Sequence, residues 1–203
     1  MLRLRLAQVE NNGLHEEDAR RATIALCHTL VYLHDRGILH RDVKPENILY
    51  RHAYSAPDDF VLADFGLAAL VDAHPESVVP GYGGSPGYVA PEGINGFGSS
   101  RASDMCVLIL HASANESLRV YRWSLGVVAY SMLTGHTPFM GTSASDLNVE
   151  TRQGRITYPA EFWDPLPLEA NDFVRRCLSF DPAHRMTAAE ALTHPVRSIF
   201  TLS

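Results

Sequence analysis

The sequence is poor in cysteine, has no long apolar run and carries no excess of positive charge. Three cysteines occur in 203 residues, and their wide spacing fits no metal-binding pattern. Reduced thiols are the simplest interpretation, and they favour a cytoplasmic protein, with a nuclear location as the alternative.

The other two absences limit the partners. Every apolar run is far shorter than the roughly 20 residues that span a bilayer, and residues 1–10 lack the apolar core of a signal peptide. The net charge of −6 argues against a general nucleic-acid or acidic-membrane surface. We therefore expect neither nucleic acid nor membrane among the partners.

Two short blocks place reactive side chains at fixed spacing. Residues 40–47 read H-R-D-V-K-P-E-N, with Asp42 and Asn47 five positions apart, and residues 64–66 read D-F-G. Phosphoryl transfer typically uses a base, a lysine and two side chains that can bind a metal ion, in this order. Either block alone is weak, because a lone Asp in a loop is usually a turn or cap residue.

Further blocks follow in order, A-P-E at residues 90–92 and W-S-L-G at residues 123–126, and then Arg185. The ordered set resembles the eukaryotic protein kinases, and their serine/threonine branch in particular, from about Leu14 to Pro195. The resemblance implies a protein serine/threonine kinase that uses ATP and Mg²⁺ and acts on a protein substrate. The implied fold is mainly α (α+β), a kinase-like C-terminal lobe with a few short strands around the catalytic loop.

The resemblance also assigns roles to single residues. Asp42 would accept the proton of the substrate hydroxyl, and Lys44, which favours serine or threonine over tyrosine as acceptor, would reach the transferred phosphate. Asn47 and Asp64 would bind Mg²⁺, which prefers hard oxygen ligands. The predicted catalytic residues are Asp42, Lys44 and Asn47, and the predicted contacts to ATP and its metal are Lys44, Glu46, Asn47 and Asp64.

A second group is predicted to shape the catalytic loop and the activation segment. Its members are His40, Arg41, Phe65, Gly66, Ser85, Glu92, Asp104 and Arg185. Gly66 lets the backbone turn just after Asp64. In the family, Asp104 accepts hydrogen bonds from the backbone of His40 and Arg41, which anchors the catalytic loop.

Two of the predicted contacts have plain alternatives. Ser85 would hydrogen-bond toward Asp42 and Lys44, although a flexible glycine-rich turn would also explain its surroundings. Arg185 would form a buried pair with Glu92, although a solvated cation at the start of a helix would also explain it.

Hydrophobic spacing predicts the elements that carry these residues. The helices predicted in this way span residues 16–35, 172–178 and 187–192, and the resemblance implies a further, buried helix over residues 123–135. The predicted strands span residues 38–39, 48–50 and 60–63. Gly37 would end the first helix, and Thr187 and Glu190 would form a capping box on the last.

The chain lacks motifs that the resemblance leads one to expect. Only 39 residues precede His40, and none of them forms G-x-G-x-x-G or V-A-I-K, which hold the phosphates from the N-terminal lobe of a kinase. We therefore predict that residues 1–203 form a partial kinase domain with the N-lobe absent. Alone it would have very weak ATP affinity and negligible turnover. The alternative function is a non-catalytic, pseudokinase-like binding module.

Residues 106–122 interrupt the family pattern. In the family, D-M runs directly into W-S-L-G at the start of a long buried helix, but here 17 residues separate Met105 from Trp123. We interpret them as an atypical insertion within that helix. They are either the translation of an unspliced intron or a genuine surface insertion.

Residues 88–92 and 134–139 look most like the calcium/calmodulin-dependent kinase group. That group tends to prefer substrates with basic residues before the phosphoacceptor. Glu46 could meet such cations, although it could equally be a solvated surface carboxylate.

The activation segment departs from the family at a common regulatory position. Kinases controlled by loop phosphorylation usually carry Ser or Thr shortly before the G-S pair that ends at Ser85. Gly81, Tyr82 and Gly83 occupy that place here, and Ser77 is the nearest other hydroxyl. The side chain of Arg41 could still bind a phosphate.

Overall fold

A computed structural model describes part of the chain. The described residues are 13–34, 36–52, 54–70, 78–79, 83–95, 99–100, 123–181, 184–186, 190 and 194–195. The predictions that lie outside these residues concern Ser77, Gly81, Tyr82, Asp104, Thr187 and residues 106–122.

Helices dominate the described residues. They are α1 (Glu16–His34), α2 (Pro91–Ile94), α3 (Trp123–Thr134), α4 (Ala144–Arg152), α5 (Ala160–Trp163) and α6 (Leu168–Cys177). The strands are β1 (Ile38–Leu39), β2 (Ile48–Tyr50), β3 (Phe60–Leu62), β4 (Ala69–Leu70), β5 (Val78–Val79) and β6 (Ser99–Ser100).

Helix α1 follows its sequence pattern closely. Ala19, Ala22, Leu26 and Leu30 are buried on one face, as apolar spacing of three and four predicts. Three acidic residues occupy the first turn, where they suit the positive end of the helix dipole. The helix predicted for residues 16–35 is confirmed to within one residue.

Helix α3 is the centre of the core. All of its residues are buried, as expected for a helix that is apolar on every side. Helix α1 packs on it, and so does α6. A Cβ at Gly126 would lie 2.8 Å from Leu178 Cδ2, so the close approach of the two chain segments requires glycine here.

The strands form three antiparallel pairs, β1–β4, β2–β3 and β5–β6. In the second pair Ile48 lies opposite Leu62, and Tyr50 lies opposite Phe60. The predicted strands at residues 38–39 and 48–50 are confirmed, and the third ends at Leu62, one residue earlier than predicted. A mainly helical fold with short strands around the catalytic loop is therefore confirmed.

The later helices show where the spacing rules were insufficient. Helix α6 begins at Leu168, four residues before the predicted start, and α4 was not predicted. Helix α4 begins with a capping box in which Ser143 and Asp146 bond to each other's backbone amides. None of the described helices combines the length and the apolar character needed to cross a bilayer.

Candidate active site

The β2–β3 pair brings the two sequence blocks together. Asn47 immediately precedes β2 and Ala63 immediately follows β3, and the Ala63 amide donates to the Asn47 carbonyl at 2.8 Å. Asp64 is the next residue. The pair therefore places both predicted metal ligands at the same end of one hairpin.

The Asp42 carboxylate is buried and receives four hydrogen bonds. Lys44 Nζ donates to its Oδ2 at 2.6 Å, and Asn47 Nδ2 donates to the same oxygen at 3.1 Å. The Ser85 amide and hydroxyl donate to its Oδ1 at 3.0 and 2.8 Å. A carboxylate offers about four lone-pair sites, so its capacity is filled and its orientation is fixed.

Two opposing effects set the pKa of Asp42. Burial raises this pKa, because it penalises the charged form. Hydrogen bonds from Lys44, Ser85 and Asn47, together with the charge of Lys44, act in the other direction, and they hold the pKa of Asp42 below its ordinary value of 3.8. Asp42 is therefore an ionised acceptor at neutral pH.

Lys44 joins the catalytic loop to the activation segment. Its ammonium group contacts Asp42 and also donates to Ser85 Oγ at 2.7 Å. The predicted contacts of Ser85 with Asp42 and Lys44 are thus confirmed. The arrangement places a cation and a base within one hydrogen-bonded group, which is what transfer of a phosphoryl group to a hydroxyl requires.

The ligand chemistry at Asn47 and Asp64 fits Mg²⁺. Asn47 Nδ2 donates to the Asp42 carbonyl at 2.8 Å and to its carboxylate, so the amide oxygen of Asn47 is the atom left for a cation. Asp64 is exposed, and its Oδ1 accepts from the Gly66 amide at 3.2 Å. Two hard oxygen ligands, one of them on an exposed carboxylate, match the preference of this ion.

Backbone strain is concentrated at the same place. Among the described residues, Arg41 and Asp64 are the non-glycine residues with positive φ, at 68° and 64°. Such conformations cost about 1–3 kcal/mol and persist where the surrounding structure fixes them, which is typical of functional sites.

The His40 side chain connects the catalytic loop to the segment that follows β3. It is fully buried, and its Nε2 lies 2.9 Å from the Ala63 carbonyl, while its Nδ1 accepts from the Asp42 amide at 3.3 Å. This pairing assigns the proton to Nε2. The Phe65 ring packs edge-on against the imidazole, with ring centroids 4.9 Å apart.

The predicted pair between Glu92 and Arg185 is confirmed. Arg185 is 1% exposed, and its Nη1 donates to Glu92 Oε1 at 3.0 Å. Its Nε donates to the Ser179 carbonyl at 3.0 Å, and the guanidinium lies 5.2 Å from the centre of the Trp123 ring. The alternative of a solvated cation is wrong.

Glu46 is less clearly assigned than its neighbours. It lies in the 3₁₀ turn Pro45–Asn47 and is half-buried beside Lys44. Its predicted contact with the nucleotide or with a basic substrate residue stays a prediction.

An exposed apolar surface beside the site was not predicted. Leu49 and Val61 lie opposite each other across the β2–β3 pair, on the face away from buried Ile48 and Leu62. Leu49 is half-buried and Val61 is exposed. The other large apolar side chains exposed between residues 49 and 70, among the described residues, are Tyr54, Phe65, Leu67 and Leu70. The sequence offered no signal for it, because residues 48–50 and 60–62 are continuous apolar runs, which do not distinguish a buried face from an exposed one.

Comparison with known proteins identifies the family. The family model described as the protein kinase domain matches residues 2–197. The calcium/calmodulin-dependent protein kinase cmkA of Emericella nidulans is 38% identical over 180 residues, covering 89% of this chain and 39% of the relative.

Two further relatives agree. Calcium/calmodulin-dependent protein kinase type I of Schizosaccharomyces pombe is 34% identical, covering 92% of this chain and 50% of the relative. Serine/threonine-protein kinase H1 of Homo sapiens is 36% identical, covering 92% and 40%. The chain thus spans half or less of the length of these relatives. It belongs to the protein kinase family, and it is similar to the calcium/calmodulin-dependent serine/threonine kinases within it.

Proposed function

We propose that this protein transfers the γ-phosphoryl group of ATP to serine or threonine hydroxyls of protein substrates. The observation that carries the proposal is the buried Asp42 carboxylate, held by Lys44 and Ser85 beside the amide oxygen of Asn47. The relatives whose names describe kinase activity support it.

Each side chain has a part in the proposed reaction. Asp42 orients the substrate hydroxyl and accepts its proton, and Lys44 holds the transferred phosphate with a compact charge. Asn47 and Asp64 would hold Mg²⁺, which supplies charge neutralisation at the phosphates. Leu49 and Val61 offer an apolar surface near these groups on which a nucleotide base could rest.

The proposed substrate class follows from the relatives and from charge. Several relatives are named as calcium/calmodulin-dependent protein kinases, and the motifs at residues 88–92 and 134–139 resemble that group. We propose substrates with basic residues near the phosphoacceptor, with Glu46 as their contact. Charge reversal at Glu46 should then weaken selection for a basic peptide over a neutral one.

Thermal unfolding with Mg²⁺-ATP tests the nucleotide site. A ligand that binds only the native state must raise its stability, so Tm should rise with millimolar Mg²⁺-ATP. Asp64→Asn should remove the increase, whereas Asp164→Asn, a change at an exposed carboxylate at the end of α5, should keep it. Because the affinity of residues 1–203 alone is expected to be very weak, the titration compares the variants, and an equal response of the unmodified protein and Asp64→Asn would contradict the proposed site.

Transfer of labelled phosphate to a basic serine peptide tests the chemistry. Residues 1–203 alone should transfer label only in trace amounts, and Asp42→Asn should abolish that trace, because a general base usually contributes about 10²–10⁴-fold. A matched tyrosine peptide should receive no label. ATP binding without transfer that depends on Asp42 would favour the non-catalytic binding module instead.

A further inference from the structure

Residues 83–85 of the activation segment lie against Arg41 and Asp42 in succession. A Cβ built at Gly83 would lie 2.7 Å from Arg41 Cζ and 2.8 Å from Nε, and nearer still to Nη2. A Cβ built at Gly84 would lie 2.7 Å from the Arg41 carbonyl oxygen. Ser85 then donates twice to Asp42. Three consecutive residues thus hold two consecutive residues of the catalytic loop.

The two glycines make their contacts with Arg41 in different ways. Gly84 has a φ of 116°, which side chains rarely adopt, and a side chain there would also meet Val89 Cγ2 at 2.7 Å. Gly83 has no such backbone requirement. At Gly83 the conflict is with a single side chain, because the Arg41 guanidinium fills the volume that a residue-83 side chain would take.

Arg41 needs such support. Its φ of 68° is unfavourable for a residue with a long side chain, so the surrounding contacts must fix it. Its guanidinium lies on Gly83 and its carbonyl lies on Gly84, so both ends of the residue rest on the glycine pair. A shift of Arg41 would move the next residue, Asp42, relative to Ser85.

We propose that Gly83 is a positioning residue of the catalytic loop. The space left by its missing side chain is a socket for the Arg41 guanidinium, and this packing keeps Ser85 hydrogen-bonded to Asp42. The consequence for phosphate transfer rests on the proposed function, whereas the socket itself does not. The family resemblance did not predict this role, because it distinguishes residues 81–83 only by the lack of a phosphoacceptor there.

A double-mutant cycle tests the socket. Gly83→Ala should lower Tm by about 2–4 °C, because the new methyl group displaces the guanidinium. In the Arg41→Ala background the same substitution should cost about 1 °C or less, because the socket is then vacant. Equal losses of Tm in both backgrounds would overturn the proposal.

A control separates this effect from general crowding. Gly126→Ala creates a contact of similar closeness, with Leu178 and Cys177 in the core instead of with Arg41. Its loss of Tm should be the same with and without Arg41→Ala, because the two sites share no contact. If Arg41→Ala changed the loss of Tm from Gly126→Ala as much as it changes the loss from Gly83→Ala, the assignment to the socket would also be overturned.

Chemical labelling provides a readout that does not need the Arg41→Ala variant to fold. Phenylglyoxal modifies accessible guanidinium groups, and peptide mass spectrometry reports the rate at Arg41 alone. Gly83→Ala should raise this rate several-fold, whereas Gly126→Ala should not change it. An unchanged rate in Gly83→Ala contradicts the proposal. Neither measurement needs nucleotide. Failure to bind Mg²⁺-ATP would therefore contradict the proposed function, while the double-mutant cycle and the labelling would still decide whether Gly83 forms the socket.

Discussion

At the scale of single residues, the site depends on the Asp42 carboxylate, whose charge is disfavoured by burial and favoured by hydrogen bonds. Asp42 is 6% exposed, and removal of a charge from water is costly unless partners compensate. Lys44, Asn47 and Ser85 supply that compensation through four hydrogen bonds. Substitution of any one partner therefore acts on the ionisation of Asp42 as well as on local packing.

We expect Asp42 to make stability depend on pH in acid. Its folded-state pKa lies below the ordinary value of 3.8. Its stabilising contribution is therefore complete above the unfolded-state pKa and is lost as the pH falls through the folded-state pKa. Asp42→Asn should remove this component. The urea midpoint of the variant should then fall less steeply than that of the unmodified protein as the pH is lowered below the ordinary pKa of 3.8.

The exposed carboxylate Asp164 provides the matched control. Asp164→Asn should keep the acid slope of the unmodified protein, because this side chain is exposed to water. Equal acid slopes for the unmodified protein and Asp42→Asn would show that the hydrogen bonds to Asp42 do not favour its charged form.

A second residue-scale prediction concerns the buried ion pair. Arg185→Met should lower the free energy of unfolding by about 3–5 kcal/mol, because it leaves Glu92 without its charged partner in a buried place. The double variant Arg185→Met with Glu92→Leu should recover part of this loss, since it removes the stranded charge as well. Urea unfolding measures both changes.

The surface pair between Arg176 and Glu190 is the comparison for that experiment. Its nitrogen and oxygen lie 3.1 Å apart, but both side chains are 40% exposed or more. Arg176→Met should therefore cost about 1 kcal/mol or less. A similar cost for Arg176 and Arg185 would mean that burial does not set the strength of the pair with Glu92.

At the scale of elements, periodicity predicts a helix best where it has a long apolar stripe. Helix α1 has a regular apolar stripe and was predicted almost to the residue. Helix α4 has only Leu147 and Val149 as large apolar residues, so spacing rules had nothing to detect. Its start is fixed instead by Ser143 and Asp146, whose spacing is a capping signal that the sequence does contain.

This cap gives an element-scale prediction. Ser143→Ala should destabilise the protein by about 1 kcal/mol, because the Asp146 backbone amide at the start of α4 loses the hydroxyl that accepts its hydrogen bond. For a domain of this size the corresponding fall in Tm is about 2–4 °C. Differential scanning calorimetry would measure it. Thr142→Ala is the control, since the Thr142 hydroxyl only approaches Asp146 at 3.5 Å. Equal losses from both substitutions would contradict the capping role.

The same scale shows what the sequence could reveal of the site. Motif spacing and family resemblance predicted the contacts among Asp42, Lys44 and Ser85, because these residues carry functional groups. The contact of Gly83 with Arg41 was missed, because its physical content is the absence of a side chain. Such a feature can be recognised only from the positions of the neighbouring atoms, which the sequence does not contain.

At the scale of the whole molecule, the packing around α3 connects the core to the site. Ser124 Oγ donates to the Tyr88 carbonyl at 2.8 Å, and Trp123 stacks on Phe139 with ring centroids 6.0 Å apart. The first turn of α3 therefore supports the end of the activation segment. Trp123 and Ser124 make both of these contacts with residues outside 106–122. The contacts therefore agree with the proposal that residues 106–122 are an insertion.

Deletion of residues 106–122 tests that proposal. The variant joins Met105 to Trp123 and retains every described residue. Because loop-closure entropy changes by only about 0.6 kcal/mol for each doubling of loop length, removal of a surface insertion should shift Tm by a few degrees at most. Deletion of residues 136–152, a segment of the same length that includes α4, should abolish cooperative unfolding, because it removes buried Phe139 and Thr151. Loss of the cooperative transition in the first variant would mean that residues 106–122 are part of the domain's own core.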